Sequence, residues 1–304
     1  MRRPGAFGAL APGESCGAPF QAASAAQNTE TRGRPGRGLA GMKIAVLVKQ
    51  VPDTATRIQL AADGSGIATA GIKWVLNPYD EFAIEEALKL RDQHIGEVVL
   101  VSFGPARVEE AIRQGLAMGA DRAIWVNNGG AEDVDYLGRA RILVAALRSE
   151  SDWDLVLVGK QAVDDDAAQT GPLVAALLDW PQVMVVLGLE VDVAGRRLIA
   201  TRELEGSTET VELPMPAVLG AQRGLNVPRY PTLPNIMKAK RKGVRQTSAA
   251  ELGLDVAQLA ADRRVVVEGW ELPPPRPEPK VLAGNPAEAA ATLVKLLHDE
   301  AQIL

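Results

Sequence analysis

Residues 159–171 read GKQAVDDDAAQTG and connect a predicted strand to a predicted helix. The strand is the apolar run DLVLV at residues 154–158, which has the length and composition of a buried parallel strand. The helix is PLVAALL at residues 172–178, with Pro172 in its first turn. A glycine at the carboxyl end of a strand, followed by a polar loop and a helix start, forms phosphate sites on α/β sheets.

The same spacing is compatible with two other interpretations. An ordinary βα loop has a similar form. Asp164, Asp165 and Asp166 are also suited to ligating a divalent cation, or to lying at the positive end of the helix dipole. Spacing alone therefore leaves a phosphate cradle, a plain loop and a metal site open.

The composition favours a protein that holds a cofactor or binds a partner. Of the 304 residues, 47% are hydrophobic and 23% charged, as in soluble globular proteins, and the net charge of −5 argues against a nucleic-acid binder. No run of about 18 apolar residues occurs, so no membrane insertion is expected. Cys16, His94 and His298 are the only cysteine and histidines, which argues against disulfides, zinc clusters and Ser-His-Asp triads.

Residues 1–41 differ from the rest of the chain. They contain eight glycines, four prolines and five arginines without a periodic apolar pattern, which predicts a disordered extension. An over-extended start site, with Met42 as the true initiator, is the interpretation that the abrupt change in composition favours. An arginine-rich organelle transit peptide is the third interpretation, and Glu14 and Glu30 argue against it.

Strands and helices alternate after Met42, which predicts an α/β fold with a doubly wound parallel sheet over residues 42–222. The predicted strands cover residues 43–49, 97–103, 123–126 and 154–158. One predicted helix begins at residue 78, and three more cover residues 107–118, 134–148 and 172–178. Asn77 and Pro78 form a strong helix start, which is either an efficient cap or a helix end aimed at a ligand. The sequence DGSG at residues 63–66 predicts a hairpin joining residues 57–60 to 67–70.

The second half of the chain predicts an antiparallel insertion and then an extended arm. The insertion consists of strands at residues 183–193, 197–204 and 208–213, and residues 217–220 return to the buried sheet. Residues 223–304 are predicted as a separate region of partner-recognition loop, extended arm and terminal helix. Its basic part, residues 223–245, is either a solvated tail or an arm that recognises another protein. The last helix begins at Asn285, and its leucines Leu293, Leu296 and Leu297 predict docking on a surface.

Five strings in order resemble the beta subunit of electron-transfer flavoprotein. They are KIAVLVKQVPDT (43–54), NPYDEFAIEEAL (77–88), GLAMGADRA (115–123), LVGKQAVDDDAAQTG (157–171) and NVPRYPTLPNIMKAK (226–240). The resemblance implies an adenine-nucleotide alpha-hydrolase-like fold. It also implies an electron carrier subunit without catalysis of its own.

The resemblance further implies a heterodimer whose alpha subunit holds most of a redox-active FAD, while this chain binds a structural AMP. Such a complex accepts electrons from flavin dehydrogenases, such as acyl-CoA dehydrogenases, and passes them to a membrane quinone oxidoreductase. In the alternative, electron-bifurcating branch, a second FAD replaces the AMP. The implied location is the bacterial cytoplasm, or the mitochondrial matrix if residues 1–41 are a transit peptide.

Matching the motifs residue by residue assigns three groups of positions. The AMP group is Leu47, Asn77, Pro78, Tyr79, Asp80, Phe103, Gly159, Lys160, Gln161, Ala162, Val163, Asp164, Asp165, Asp166, Ala167, Ala168, Gln169 and Thr170. Within it, the expected phosphate donors are backbone amides, Gln169 and Thr170, and the aspartates are expected to cap the helix or bond the loop. The dehydrogenase-docking group is Leu233, Pro234, Asn235, Ile236 and Met237, with Leu233 as the anchor. Glu203 is expected to face the flavin.

The chain departs from the family pattern at two places. Val183, Met184 and Val185 stand where Gly-Thr-Phe is frequent, and Val227 replaces a glutamate near the docking group.

Two other classes of protein fit the sequence less well. An ATP-cleaving enzyme needs a glycine- and serine-rich loop after the first strand, where this chain has QVPDT, and a metal-dependent hydrolase using the three aspartates lacks acid/base partners.

Overall fold

The computed structural model describes residues 41–129, 134–276 and 278–304. The strands are β1 (Met42–Leu47), β2 (Gln50–Pro52), β3 (Trp74–Leu76), β4 (Gly96–Gly104), β5 (Arg122–Asn127), β6 (Leu155–Gly159), β7 (Gln182–Asp192), β8 (Arg197–Leu204), β9 (Ser207–Pro214), β10 (Ala217–Ala221) and β11 (Val244–Ser248). The helices are α1 (Pro78–His94), α2 (Val108–Met118), α3 (Tyr136–Arg148), α4 (Thr170–Leu178), α5 (Leu233–Ala239), α6 (Val256–Ala261) and α7 (Pro286–Asp299). The tail predicted over residues 1–41 lies outside the described residues except for its last position.

One nine-stranded sheet has the order β11-β5-β4-β1-β6-β10-β7-β8-β9. Its strands are parallel from β11 to β7, and β8 and β9 continue it as antiparallel strands. The predicted doubly wound sheet with an antiparallel insertion is therefore confirmed. β2 and β3 form a separate antiparallel pair.

Helices cover both faces of the sheet, so its central strands are apolar on both sides. Ile84 of α1 and Ile112 of α2 pack on one face with Ile44. Ile142 of α3 and Val174 of α4 pack on the other face, where they form one apolar cluster with Ala45 of β1. The chain thus winds away from β1 in one direction through β4 and reaches β6 on the other side, which makes the carboxyl ends of β1 and β6 a topological switch point.

The predicted hairpin around residues 63–66 forms its turn but not its strands. One isolated antiparallel bridge joins Leu60 to Ile67, and no paired strands extend from it. None of residues 54–70 is buried, and a two-stranded ribbon without a buried face is marginally stable in water. The turn forms as the sequence predicts, but no core supports strands on either side of it.

The segment of residues 223–245, expected to have little core of its own, contains α5 and the start of an edge strand. β11 pairs in parallel with β5, so the main sheet continues beyond the boundary predicted at residue 222. β11 reads VRQTS, and an edge strand exposed to water needs few apolar residues. Because this strand is polar, the pattern of apolar residues does not predict it.

The terminal helix α7 begins as predicted, but none of its residues is buried by the described part of the chain. Asn285 and Glu288 form a reciprocal capping box. No residue of α7 is buried, and Leu293 is 48% exposed. Its predicted docking surface is therefore not found on the described part of the chain. No described helix is both long and apolar enough to cross a membrane.

Candidate functional site

Three strand ends and one helix start meet at the switch point. Leu47, the last residue of β1, pairs with Val158 of β6 and Val101 of β4. Gly159 ends β6, and Phe103 lies one residue before the end of β4. The family resemblance assigned Leu47, Phe103 and Gly159 to the nucleotide, and the parallel register brings their strand ends to one edge of the sheet. Open α/β sheets bind ligands at this edge.

Gly159 is required by the close approach of α1. A Cβ atom at this position would lie 2.3 Å from Asp80 Oδ1 and 2.7 Å from Tyr79 Cβ. Real side chains do not tolerate such distances, so glycine lets the start of α1 rest directly against the end of β6. The Gly159 amide donates to Asp80 Oδ1 at 3.2 Å.

Asp80 is a buried carboxyl group that joins β1, α1 and β6. Besides Gly159, it accepts hydrogen bonds from the Lys49 amide at 2.8 Å and from Asn77 Nδ2 at 2.8 Å. Burial raises the pKa of Asp80 from its ordinary 3.8 to about 7, although the donors oppose this rise. The pKa of this carboxyl group therefore lies close to neutral pH.

Asn77 occupies the predicted cap position, but its side chain does not cap α1. Its Nδ2 donates to the Gln161 carbonyl at 2.9 Å as well as to Asp80. Its Oδ1 accepts from the Val163 amide at 3.2 Å. Of the two predicted interpretations, the plain cap is wrong, because the amide group is used to hold the loop of residues 160–169 against α1.

Lys49, which was not predicted from the sequence, lies two residues beyond β1. Its Nζ donates to Asp164 Oδ1 at 2.7 Å and to Asp165 Oδ2 at 2.8 Å. Tyr136 Oη, at the start of α3, also donates to Asp165 at 3.3 Å. A lysine directly after a buried strand was the only sequence signal for this contact.

The three aspartates are engaged within the loop and with Lys49. Asp165 Oδ1 accepts from the Ala167 amide at 3.2 Å, and Asp166 Oδ1 accepts from Gln161 Nε2 at 2.5 Å. Asp166 and Ala168 have φ of 48° and 53°, in the left-handed region that tightens the loop. The expected bonding within the loop is confirmed. Among the described residues, no group of three or more His, Cys, Asp or Glu is placed to hold a metal ion.

The start of α4 has no side-chain cap. Gln169 occupies the cap position without accepting an amide hydrogen bond, and no acidic residue lies in the first turn. Capping by the aspartates is therefore wrong. Thr170 and Gly171 are the first residues of α4, so their amides have no partner within the helix. The helix dipole adds a positive potential there, and together these features favour an anion.

Met184, where the chain departs from the family pattern, packs behind this helix start. A Cβ atom on Gly171 would lie 2.9 Å from Met184 Sδ. The next residue, Val185, has φ of 64°, and the pairing of β7 with β10 is irregular here. This bulge turns Met184 onto α4, so the altered residues support the loop from behind.

The predicted docking group is helical rather than a loop. Leu233 begins α5 and is 73% exposed, and Met237 is 56% exposed. Arg113 of α2 donates to the carbonyl groups of Ala239 and Lys242, both at 2.9 Å, which fixes the end of α5. The helix thus presents apolar side chains to solvent from a fixed base.

The comparisons with known proteins agree on one family. A family model described as "Electron transfer flavoprotein domain" matches residues 65–252. The electron transfer flavoprotein subunit beta of Mus musculus is 41% identical over 268 residues, which is 87% of this chain and all of the relative. The same subunit of Bradyrhizobium diazoefficiens is 43% identical over 265 residues, 86% of this chain and all of the relative. This chain belongs to the electron transfer flavoprotein beta-subunit family.

Membership confirms the resemblance carried by the five strings. A third relative, a mitochondrial beta subunit from Oryza sativa, is 40% identical over 266 residues, 86% of this chain and all of the relative. A subunit in a flavoprotein family implies an alpha-subunit partner and a flavin. Glu203, expected near that flavin, is exposed on β8 and accepts from Gln222 Nε2 at 3.0 Å.

Proposed function

We propose that this electron transfer flavoprotein beta subunit binds AMP at the switch point and completes the FAD site of an alpha subunit. The heterodimer accepts electrons from flavin dehydrogenases, such as acyl-CoA dehydrogenases, and delivers them to a membrane quinone oxidoreductase. The chain has no catalysis of its own in this proposal. Its location is the bacterial cytoplasm, or the mitochondrial matrix if residues 1–41 are a transit peptide.

The uncapped start of α4 is the observation that carries the AMP proposal. The amides there suit a phosphate, while Lys49 and Gln161 engage the carboxylates that would otherwise repel it. Gly159 leaves room for α1 to form the neighbouring wall. The residues present therefore fit an adenine nucleotide, with residues 159–170 around the phosphate, Leu47 at the end of β1, and the half-buried Tyr79 and Phe103 offering apolar surface.

The chain's own part in electron transfer is binding and orientation. FAD, when bound, supplies the chemistry of accepting and releasing electrons. Glu203 is the residue that we assign to the flavin side. Leu233 supplies an exposed aliphatic anchor for the dehydrogenases, and a single anchor with weakly contributing neighbours suits contacts with several partners.

The electron-bifurcating alternative replaces AMP by a second FAD. Tyr79, in the first turn of α1, and Phe103, near the end of β4, are half-buried bulky side chains and favour the smaller ligand. The intact QAVDDDAAQTG loop also favours AMP.

Co-expression with the alpha subunit of the same organism tests the assembly. We expect a complex with equal amounts of both chains and a flavin absorbance spectrum, which is bleached when an acyl-CoA dehydrogenase and its substrate are added. Separate elution of the two chains, or a complex whose flavin stays oxidised with every flavin dehydrogenase supplied, would contradict the proposal.

A further inference from the structure

Lys49 contacts both walls of the proposed nucleotide site. Its amide donates to Asp80, which belongs to α1, and its carbonyl accepts from the Asn77 amide at 2.9 Å. Its Nζ reaches across to Asp164 and Asp165 in the loop. One residue thus ties the end of β1 to the helix start and to the loop.

The loop of residues 160–169 carries negative charge that would repel a phosphate, and Lys49 reduces this repulsion. Three consecutive carboxylates precede the α4 start, where a phosphate would add further negative charge. Burial alone would raise the pKa of Asp165. The hydrogen bond from Lys49 and the attraction of its positive charge are the main causes that instead lower this pKa below its usual value. Asp165 is therefore ionised at neutral pH, and the lysine ammonium offsets charge that would oppose an anion.

We propose that Lys49 is a positioning residue that fastens the loop of residues 160–169 to β1 and offsets the charge of Asp164 and Asp165. The phosphate then meets the amides at the start of α4 rather than the ammonium group of Lys49. This inference rests on the proposed AMP function and adds the charge compensation on which binding depends.

The geometry separates this role from direct phosphate binding. Lys49 Nζ lies at 2.7 Å and 2.8 Å from two carboxylate oxygens, so its strong contacts are already with the loop. If Lys49 bound the phosphate directly, removing a nearby carboxylate would not restore the AMP affinity that is lost with the lysine. If Lys49 compensates charge, removing one carboxylate restores that affinity.

Charge-restoring variants of the complete heterodimer provide the test. Lys49→Met removes one positive charge, and Lys49→Met/Asp164→Asn returns the site to its original local charge. Lys49→Arg keeps the charge, and Lys73→Met is the matched control, because Lys73 pairs with Asp53 at the same 2.8 Å outside the site. AMP affinity is measured by calorimetry on nucleotide-depleted complex at low and high salt, and hydrogen exchange of the loop is measured without nucleotide.

We expect Lys49→Met to weaken AMP binding about tenfold or more at low salt, with a smaller loss at high salt because salt screens the added repulsion. The Asp164→Asn second change recovers most of the affinity, Lys49→Arg and Lys73→Met stay near wild type, and Lys49→Met speeds exchange in residues 160–169. A double variant as weak as Lys49→Met, or unchanged binding and exchange in Lys49→Met, would overturn the inference. A wild-type complex that binds no AMP contradicts the proposed function instead, and loop exchange then decides whether Lys49 fastens the loop.

Discussion

Gly159, in the proposed nucleotide site, leaves no room for a side chain. Gly159→Ala would place a methyl group 2.3 Å from Asp80 Oδ1 and 2.7 Å from Tyr79 Cβ, which forces α1 away from β6. We expect the free energy of unfolding to fall by about 1–3 kcal/mol. Urea denaturation measures this. Gly66→Ala is the control, because a Cβ atom there meets nothing within 4 Å, and equal losses in both variants would contradict the account.

Asp80 gives the site a pH dependence of definite sign. Its pKa is about 7 in the folded chain and 3.8 in ordinary surroundings, so the folded state holds the proton more tightly between these values. Its contribution to the unfolding free energy is full below pH 4 and falls as pH rises towards 7, by at most about 1.4 kcal/mol per pH unit.

Asp80→Asn removes this titration. We expect the stability of the wild type relative to the variant to decrease from pH 4 to pH 7, as measured by denaturation at each pH. The variant should be the less stable at pH 8, because its amide group faces donors from Lys49 and Gly159 and leaves them poorly paired. Parallel stability curves for the two proteins would show that Asp80 does not titrate in this range.

At the residue scale, position was more predictable than contact. The strand ends and the helix start at Asn77 followed from hydrophobic patterning and cap chemistry. The use of Asn77 to hold residues 161 and 163 depends on parts of the chain more than 80 residues apart, and no local pattern encodes it. Lys49 was missed for the same reason: its carboxylate partners lie more than 110 residues away.

Among the elements, α1 links the proposed nucleotide site to α5, the proposed docking helix. Its first residues hold the loop, and farther along it carries the buried carboxyl group of Glu85. Arg229, shortly before α5, donates to Glu85 from Nε at 2.8 Å and from Nη2 at 3.0 Å. This two-point ion pair fixes the segment that leads into α5.

Arg229→Gln should therefore loosen the docking helix. Glu85 would remain buried with its main partner lost, so we expect the unfolding free energy to fall by about 1–3 kcal/mol. The rate of electron transfer from a dehydrogenase should also fall. Stopped-flow reduction of the flavin measures that rate, and Arg197→Gln, which breaks the exposed pair with Glu212, is the control. Unchanged reduction in Arg229→Gln would separate α5 from this anchor.

The elements of the central sheet were predictable because their apolar runs are buried on both faces. The misjudged elements lack that signal. β11 is a polar edge strand, the predicted hairpin near Asp63 has no buried face, and α5 is a short helix whose large apolar residues remain exposed. In each case the deciding interaction is with a distant element or with solvent, which local periodicity does not report.

At the scale of the whole molecule, the described part of the chain consists of a packed sheet and an arm with exposed apolar side chains. Val266 and Trp270 are more than half exposed, and none of α7 is buried. The packed sheet followed from the sequence, whereas the predicted docking of α7 stays a prediction, because no residue of α7 is buried in the described part of this chain. A subunit of a larger assembly is expected to leave such surface uncovered.

The nucleotide content of the purified heterodimer tests the central claim most directly. The complex is denatured, and the released flavin and adenine nucleotides are separated by chromatography and quantified against the protein. The account predicts one AMP and one FAD per heterodimer, with the AMP reduced in the Gly159→Ala complex and retained in Gly66→Ala. Two FAD and no AMP would contradict it, since the site at the end of β1 and β6 would then belong to a second flavin.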